Sequence, residues 1–291
     1  LPYTTLFRSR NNLVRARVHR ICSTVGQSLK FVKFMAVRWM LLVWVGVAGL
    51  WAQDSQRSSL ALGVELFHQA YRGWDMELFT RAEHALQQVQ PTDRQQEIQL
   101  WYWLGVVRFH AVLCRQGKHP PADGDEHDLS WDTTLAALDR LLSRDPHHAE
   151  GHALKATVLG LRVGNHAWRA FRYGPAIQRH QRAALQWGPQ NPRVLYLQGV
   201  ALWKTAKGRT GWEAAAEILR RADRQFQQEG SKPPTPDQPR WGHGDCLAFL
   251  GQIEECLGNL AGAEEAYRRA LEMHPGHRLA LEGLGRLGRN S

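Results

Sequence analysis

The chain has 291 residues, 43% hydrophobic and 22% charged, enough for a buried core in one large domain or a repeat array. Its formal net charge of +10 suggests nucleic acid, but the surplus is local. Residues 1–52 hold eight basic and no acidic residues, leaving 37 − 8 = 29 basic against 27 acidic residues, or +2, in the remainder. A body so close to neutral lacks the electrostatic footprint of a phosphate-backbone binder, so no nucleic-acid partner is expected.

The first residues stand apart. Pro2–Ser9 reads PYTTLFRS, like the translation of a sequencing adapter, and the first methionine is Met35. Residues 1–34 are therefore set aside as a non-native or basic disordered segment. From Met35 the chain reads MAVRWMLLVWVGVAGLWAQ, with Arg38, then an apolar run from Trp39 to Leu50, then the small residue Ala52. That order is the layout of a secretory signal peptide over 35–52 with cleavage after Ala52, although Leu50 at position −3 is not ideal. The run is about 12–14 residues, short of the ~20 that span a bilayer. A periplasmic or secreted protein with no membrane association after cleavage is the expectation; the alternative is an uncleaved N-terminal anchor, residues 36–52 then holding a membrane-anchored envelope assembly factor. Residues 53–58 form a short linker.

From Ser59 to residue 288 the pattern is helical. Apolar residues recur at three and four, as in Leu62, Leu66, Ala70 and Leu78, Ala82, Ala85, and breakers arrive at Gly73, Pro91, Pro146, Gly164, Pro189, Gly208, Gly258 and Pro275. Five helix pairs are predicted at 59–90, 94–146, 148–189, 191–229 and 241–275, with a closing helix at 277–288. Three polar stretches interrupt them: Arg115–Leu129, Lys204–Trp212 and Glu229–Gly242. Such insertions map to loops, often on a binding face.

The last pair is the clearest. Leu250, Gly251, Gly258, Ala263, Tyr267, Ala270 and Pro275 fall at intervals that closely resemble the tetratricopeptide repeat, with L-G, then G, then A-x₃-aromatic-x₂-A, then P. Weaker copies include Leu104–Gly105, Ala184–Pro189 and Gly199–Ala222. The resemblance implies an all-α, right-handed superhelical solenoid of about five such pairs plus a C-terminal capping helix. In this pattern small residues let the helices of a pair approach, and the aromatic fills the gap to the next pair.

Chemistry is sparse. Cys114, Cys246 and Cys256 are odd in number. The last two fall ten residues apart on one predicted helix, about 15 Å, too far for a disulfide, so all three read as small hydrophobes. His148 and His152 are spaced i, i+4, and with Glu150 form the best metal candidate, a metal-dependent hydrolase being the enzymatic alternative. The spacing is not H-E-x-x-H, however, and no third ligand is apparent. The stretch AKGRTGW lacks phosphate-loop order, and there is no nucleophile elbow or dinucleotide fingerprint. No cofactor is expected. The repeat resemblance implies instead a non-catalytic scaffold or adaptor that binds a protein or peptide partner on a groove lined by first helices. Those positions are Tyr102, Phe109, Arg193, Tyr196, Trp203, Asp245 and Phe249, residue types that often anchor interfaces. The Lys/Asn set that clamps C-terminal carboxylates in chaperone-binding members is not present there.

Overall fold

The computed structural model describes residues 59–118, 126–164, 166–233, 235 and 238–290. The expected upstream segment, signal peptide and linker therefore lie outside the described residues. Among the described residues there are eleven α-helices and no strand: α1 (59–73), α2 (Met76–Gln87), α3 (Arg94–Lys118), α4 (Glu126–Arg144), α5 (Ala149–Val163), α6 (Ala167–Trp187), α7 (Pro192–Thr205), α8 (Gly208–Gly230), α9 (His243–Leu257), α10 (Leu260–Met273) and α11 (Arg278–Asn290). Consecutive helices pack as antiparallel pairs, and each pair packs mainly on its neighbours, as in a helical solenoid.

The turns explain the boundaries. Second helices end in four-residue turns at 145–148, 188–191 and 274–277, holding Pro146, Pro189 and Pro275. The next helix then starts on a capping side chain: His148 Nδ1 accepts from the Gly151 amide, and Asn191 Oδ1 accepts from the amides of Arg193 and Val194. Asp75 and Asn259 cap α2 and α10 in the same way. Gly258 ends α9 at φ +81°, a left-handed conformation that favours glycine.

Within four of the five pairs a glycine on the first helix meets a large side chain of the second. A Cβ would lie 2.7 Å from Leu86 at Gly63, 2.8 Å from Leu138 at Gly105, 2.6 Å from Leu219 at Gly199 and 2.5 Å from Tyr267 at Gly251. The missing methyl lets the ring or isobutyl group lie against backbone. Tyr267 is closed from the other side by Gly283 of α11, and Ala263, Ala266 and Ala270 are buried beside it. The α11 helix thus caps the last pair through Ala280 and Leu287.

Three local expectations change. The second-pair insertion is shorter than Arg115–Leu129, because α3 runs to Lys118 and α4 starts at Glu126. The Lys204–Trp212 stretch is no extended loop, since only Ala206 and Lys207 separate α7 from α8. Cys114 and Cys246 are buried, but Cys256 is exposed and is not a core residue.

Candidate functional site

The end of the third interruption, residues 238–242, lies back on the first helices and decides which side chains remain accessible. Its anchor is Trp241, 1% exposed, whose Nε1 donates to the Tyr102 hydroxyl at 3.1 Å and whose ring lies 5.2 Å from that of His110. Tyr102 in turn donates to Glu150, which also accepts from Asn191 Nδ2 at 2.8 Å. Arg193, 1% exposed, completes this network. Its guanidinium donates to both carboxylate oxygens of Glu229 and to the Pro239 carbonyl, stands 3.5 Å from Glu150, and lies over the rings of Phe226 and Trp241. Burial pulls the pKa of Arg193 down, but Glu150 and Glu229 more than offset it and hold the group above its ordinary range.

A second network ties the first helix to the last pair. Tyr71 donates to Asp245 and accepts from the Gly242 amide at 2.9 Å, while His277 Nε2 donates to Asp245 at 3.0 Å. Burial alone would raise the Asp245 pKa, but the His277 and Tyr71 hydrogen bonds hold it at about 2. A third centres on Asp223, which accepts from His243 at 2.7 Å, from Arg269 at 2.7 Å and from Gln227 at 2.9 Å. These carboxylates are saturated by cations and donors, which suits them to holding helices together.

The expected groove residues therefore do not form one open surface. Tyr102, Phe109, Arg193, Tyr196 and Asp245 are all below 10% exposed. Arg193 does not stand in solvent beside Tyr196 and Trp203, because Glu150, Glu229 and the returning segment enclose it. Phe109 packs on Trp131 and His110. Only Trp203 and Phe249 stay half-buried, in edge contact at 5.8 Å, with Tyr196 against Phe249 and Lys204 Nζ 4.1 Å over the Trp203 ring.

The metal candidate separates in the same way. His148 is a helix cap, Glu150 belongs to the Arg193 network, and His152 bonds the His180 ring at 2.8 Å and the Pro146 carbonyl at 2.9 Å. No group of three or more His, Cys, Asp or Glu that could hold a metal ion occurs among the described residues. Burial pushes the Cys246 thiol well up, away from the thiolate a nucleophile needs.

What remains open is a cleft of about 430 Å³ between α1, the end of α8, the returning segment and the end of α10. Arg72, Lys232 and Arg240 stand exposed at its rim, and none forms an ion pair among the described residues. His68 lies inside, 7% exposed, with Nε2 lacking any hydrogen-bond partner. Its pKa is lowered to about 4, first by burial and next by the Arg240 charge, with Arg72 and Arg193 adding to the effect. Glu65 accepts from Gln69 Nε2 at 3.1 Å and is the one rim carboxylate among the described residues without a cation partner, since Glu229 is bound to Arg193. The cleft is thus a positive recess with an apolar floor of Phe226 and Trp241. Sequence reasoning missed it because it is built from segments as far apart as Glu65 and His274. One signal was present: Trp241 is a large apolar residue in an otherwise polar stretch, and such a residue has reason to fold inward.

Comparison with curated proteins finds no match. A solved structure described as a thermophilic TPR protein in Thermus thermophilus is 18% identical, with a TM-score of 0.49, covering 80% of this chain and 97% of that one. Residues 245–287 match the family model described as "Tetratricopeptide repeat", so the similarity falls on the α9–α11 unit, where Tyr267 is held between Gly251 and Gly283.

Proposed function

We propose that the chain is a non-catalytic scaffold or adaptor that takes a protein or peptide partner in the cleft between α1 and residues 238–242. Repeats of this type generally mediate protein–protein contacts, which supports the class of partner. The observation that carries the reading is the cleft itself: unpaired cations at the rim, an unpartnered buried imidazole inside and an aromatic floor. That chemistry fits an anionic, partly apolar segment such as a peptide carrying Asp or Glu beside an aliphatic or aromatic residue. A fluorescently labelled acidic peptide tests it by anisotropy. Arg72→Ala/Arg240→Ala is expected to weaken binding about tenfold or more without changing the melting temperature. Equal affinity for wild type and double variant contradicts the assignment.

Export is part of the same proposal and rests on the order of charge, apolar run and small residue in 35–52. Protein expressed from Met35 in a secreting host is expected to begin at Gln53. Recovery of an intact Met35 terminus in the envelope fraction removes the cleavage and favours the anchored alternative.

A further inference from the structure

The near-neutral average of the body conceals a strong segregation of charge. Between Glu150 and Glu213 the chain holds ten basic residues and no acidic one. The rest of the body after residue 52 then carries 29 − 10 = 19 basic against 27 acidic residues, or −8. Most of the positive segment is α5, α6 and α7, and its outward expression is on α6. Trp168, Phe171, Arg172, Pro175, Arg179, Arg182 and Gln186 recur at three and four residues and share one helix face. Every one of these positions is exposed, Trp168 at 63% and Phe171 at 89%. Arg172, Arg179 and Arg182 form no ion pair with any described residue. The carboxylates of neighbouring α4 that face this region are already used: Asp132 binds Arg162 and Asp139 binds Lys155. From Trp168 to Arg182 the stripe is roughly 20 Å long at the helical rise.

Two large aromatics in water are a cost that packing within the stack does not explain, since the buried face of α6 lies on α5. Aromatic rings at one end of a line of unneutralised guanidinia match the chemistry of a bilayer interface. There the rings enter the headgroup–acyl boundary and the cations meet anionic headgroups. The outside of a single helix has no walls to grip a peptide or to sandwich a base, whereas a bilayer surface needs none. No helix among the described residues is long and apolar enough to cross a membrane, so the contact is peripheral.

We infer that the exposed α6 face, Trp168 and Phe171 with Arg172, Arg179 and Arg182, docks the protein on an anionic lipid surface. This site is separate from the α1/238–242 cleft and stands or falls without it. The test uses the full chain with phosphatidylcholine vesicles and with vesicles containing about 30% phosphatidylglycerol, an anionic lipid. Hydroxyl-radical footprinting with mass spectrometry reads Trp168 and Phe171 directly, so lipid contact by the 39–50 segment does not enter the result. Protection of both rings on anionic vesicles only, lost in 0.5 M salt (about a 4–5 Å Debye length), is expected. Arg172→Gln/Arg179→Gln/Arg182→Gln is expected to lower partitioning on anionic vesicles about 100-fold, a factor of about five per cation, and Trp168→Ser/Phe171→Ser about tenfold. Both variants should melt with wild type, because every altered side chain is exposed. Absence of protection, equal protection on neutral vesicles, or partitioning unchanged in the triple variant overturns the proposal. So does protection by a single-stranded RNA oligonucleotide in place of vesicles, which would assign the face to nucleic acid.

Discussion

Arg193 shows how far a residue's role depends on what closes over it. Its type and its position on a first helix suit an interface anchor, yet its guanidinium is fully enclosed between Glu150, Glu229, the Pro239 carbonyl and two aromatic rings. Removing one member of a buried ion pair leaves the other desolvated and uncompensated, at a cost of about 3–5 kcal/mol. Arg193→Ala is therefore expected to lower the urea midpoint severely, with loss of partner binding following only from unfolding. Trp203 gives the contrast. It is half-buried, with Phe249 on one side and Lys204 over its ring, so Trp203→Ala is expected to cost about 1–2 kcal/mol, well under a full core truncation. Similar midpoints for the two variants would show that residues 238–242 do not enclose Arg193 in solution.

At the scale of the element, the pairs are set by small residues. Ala263 is fully buried beside Tyr267, while Ala261, in the first turn of α10, faces solvent. Overpacking a close helix contact costs about 1–3 kcal/mol, and an exposed helix position tolerates change within about 0.5 kcal/mol. Ala263→Leu should therefore shift the urea midpoint well below that of Ala261→Leu, and coincident melts would refute the assigned register. These elements were legible in the sequence because their signals are local: the three–four periodicity, the small residues on the first helices, and the proline a few residues past each second helix. With those signals α1–α11 read as five pairs and a closing helix. Loop lengths were less legible, because Arg115–Lys118 and Lys204–Thr205 are polar and yet helical, held by the helix they extend. The interior networks were not legible at all. Tyr71 meets Asp245, and Trp241 meets Tyr102, across 174 and 139 residues, and no periodicity encodes a segment returning over that distance.

At the scale of the whole stack, burying polar side chains makes stability depend on pH in a definite direction. His68, His110 and His180 are each below 10% exposed and each has its pKa lowered to about 4. Burial is the largest cause in all three. His110 is enclosed by aromatic rings, His180 is also depressed by Lys155 and His152, and His68 by Arg240. Free imidazoles in the unfolded chain take up protons below the ordinary value of 6.5, whereas the folded ones do so only near 4. The unfolded state therefore binds more protons across that interval, and stability falls as pH drops through it, by up to about 1.4 kcal/mol per pH unit for each group. The carboxylates act elsewhere. Asp223 and Asp245 are held at about 2, the first by His243 and Arg269 and the second by His277 and Tyr71, each against the opposing pull of burial. Their contribution is complete above the ordinary carboxylate value of 3.8 and is lost only as pH falls from there towards 2. Between pH 7 and pH 5 the histidines alone govern, and the melting temperature is expected to fall by about 5 °C or more, given about 2–4 °C per kcal/mol for a domain of this size. Thermal melts followed by circular dichroism at the two pH values measure it. A melting temperature that holds steady from pH 7 to pH 5 would mean that these rings are open to solvent, and with them the interior that Trp241 is inferred to close.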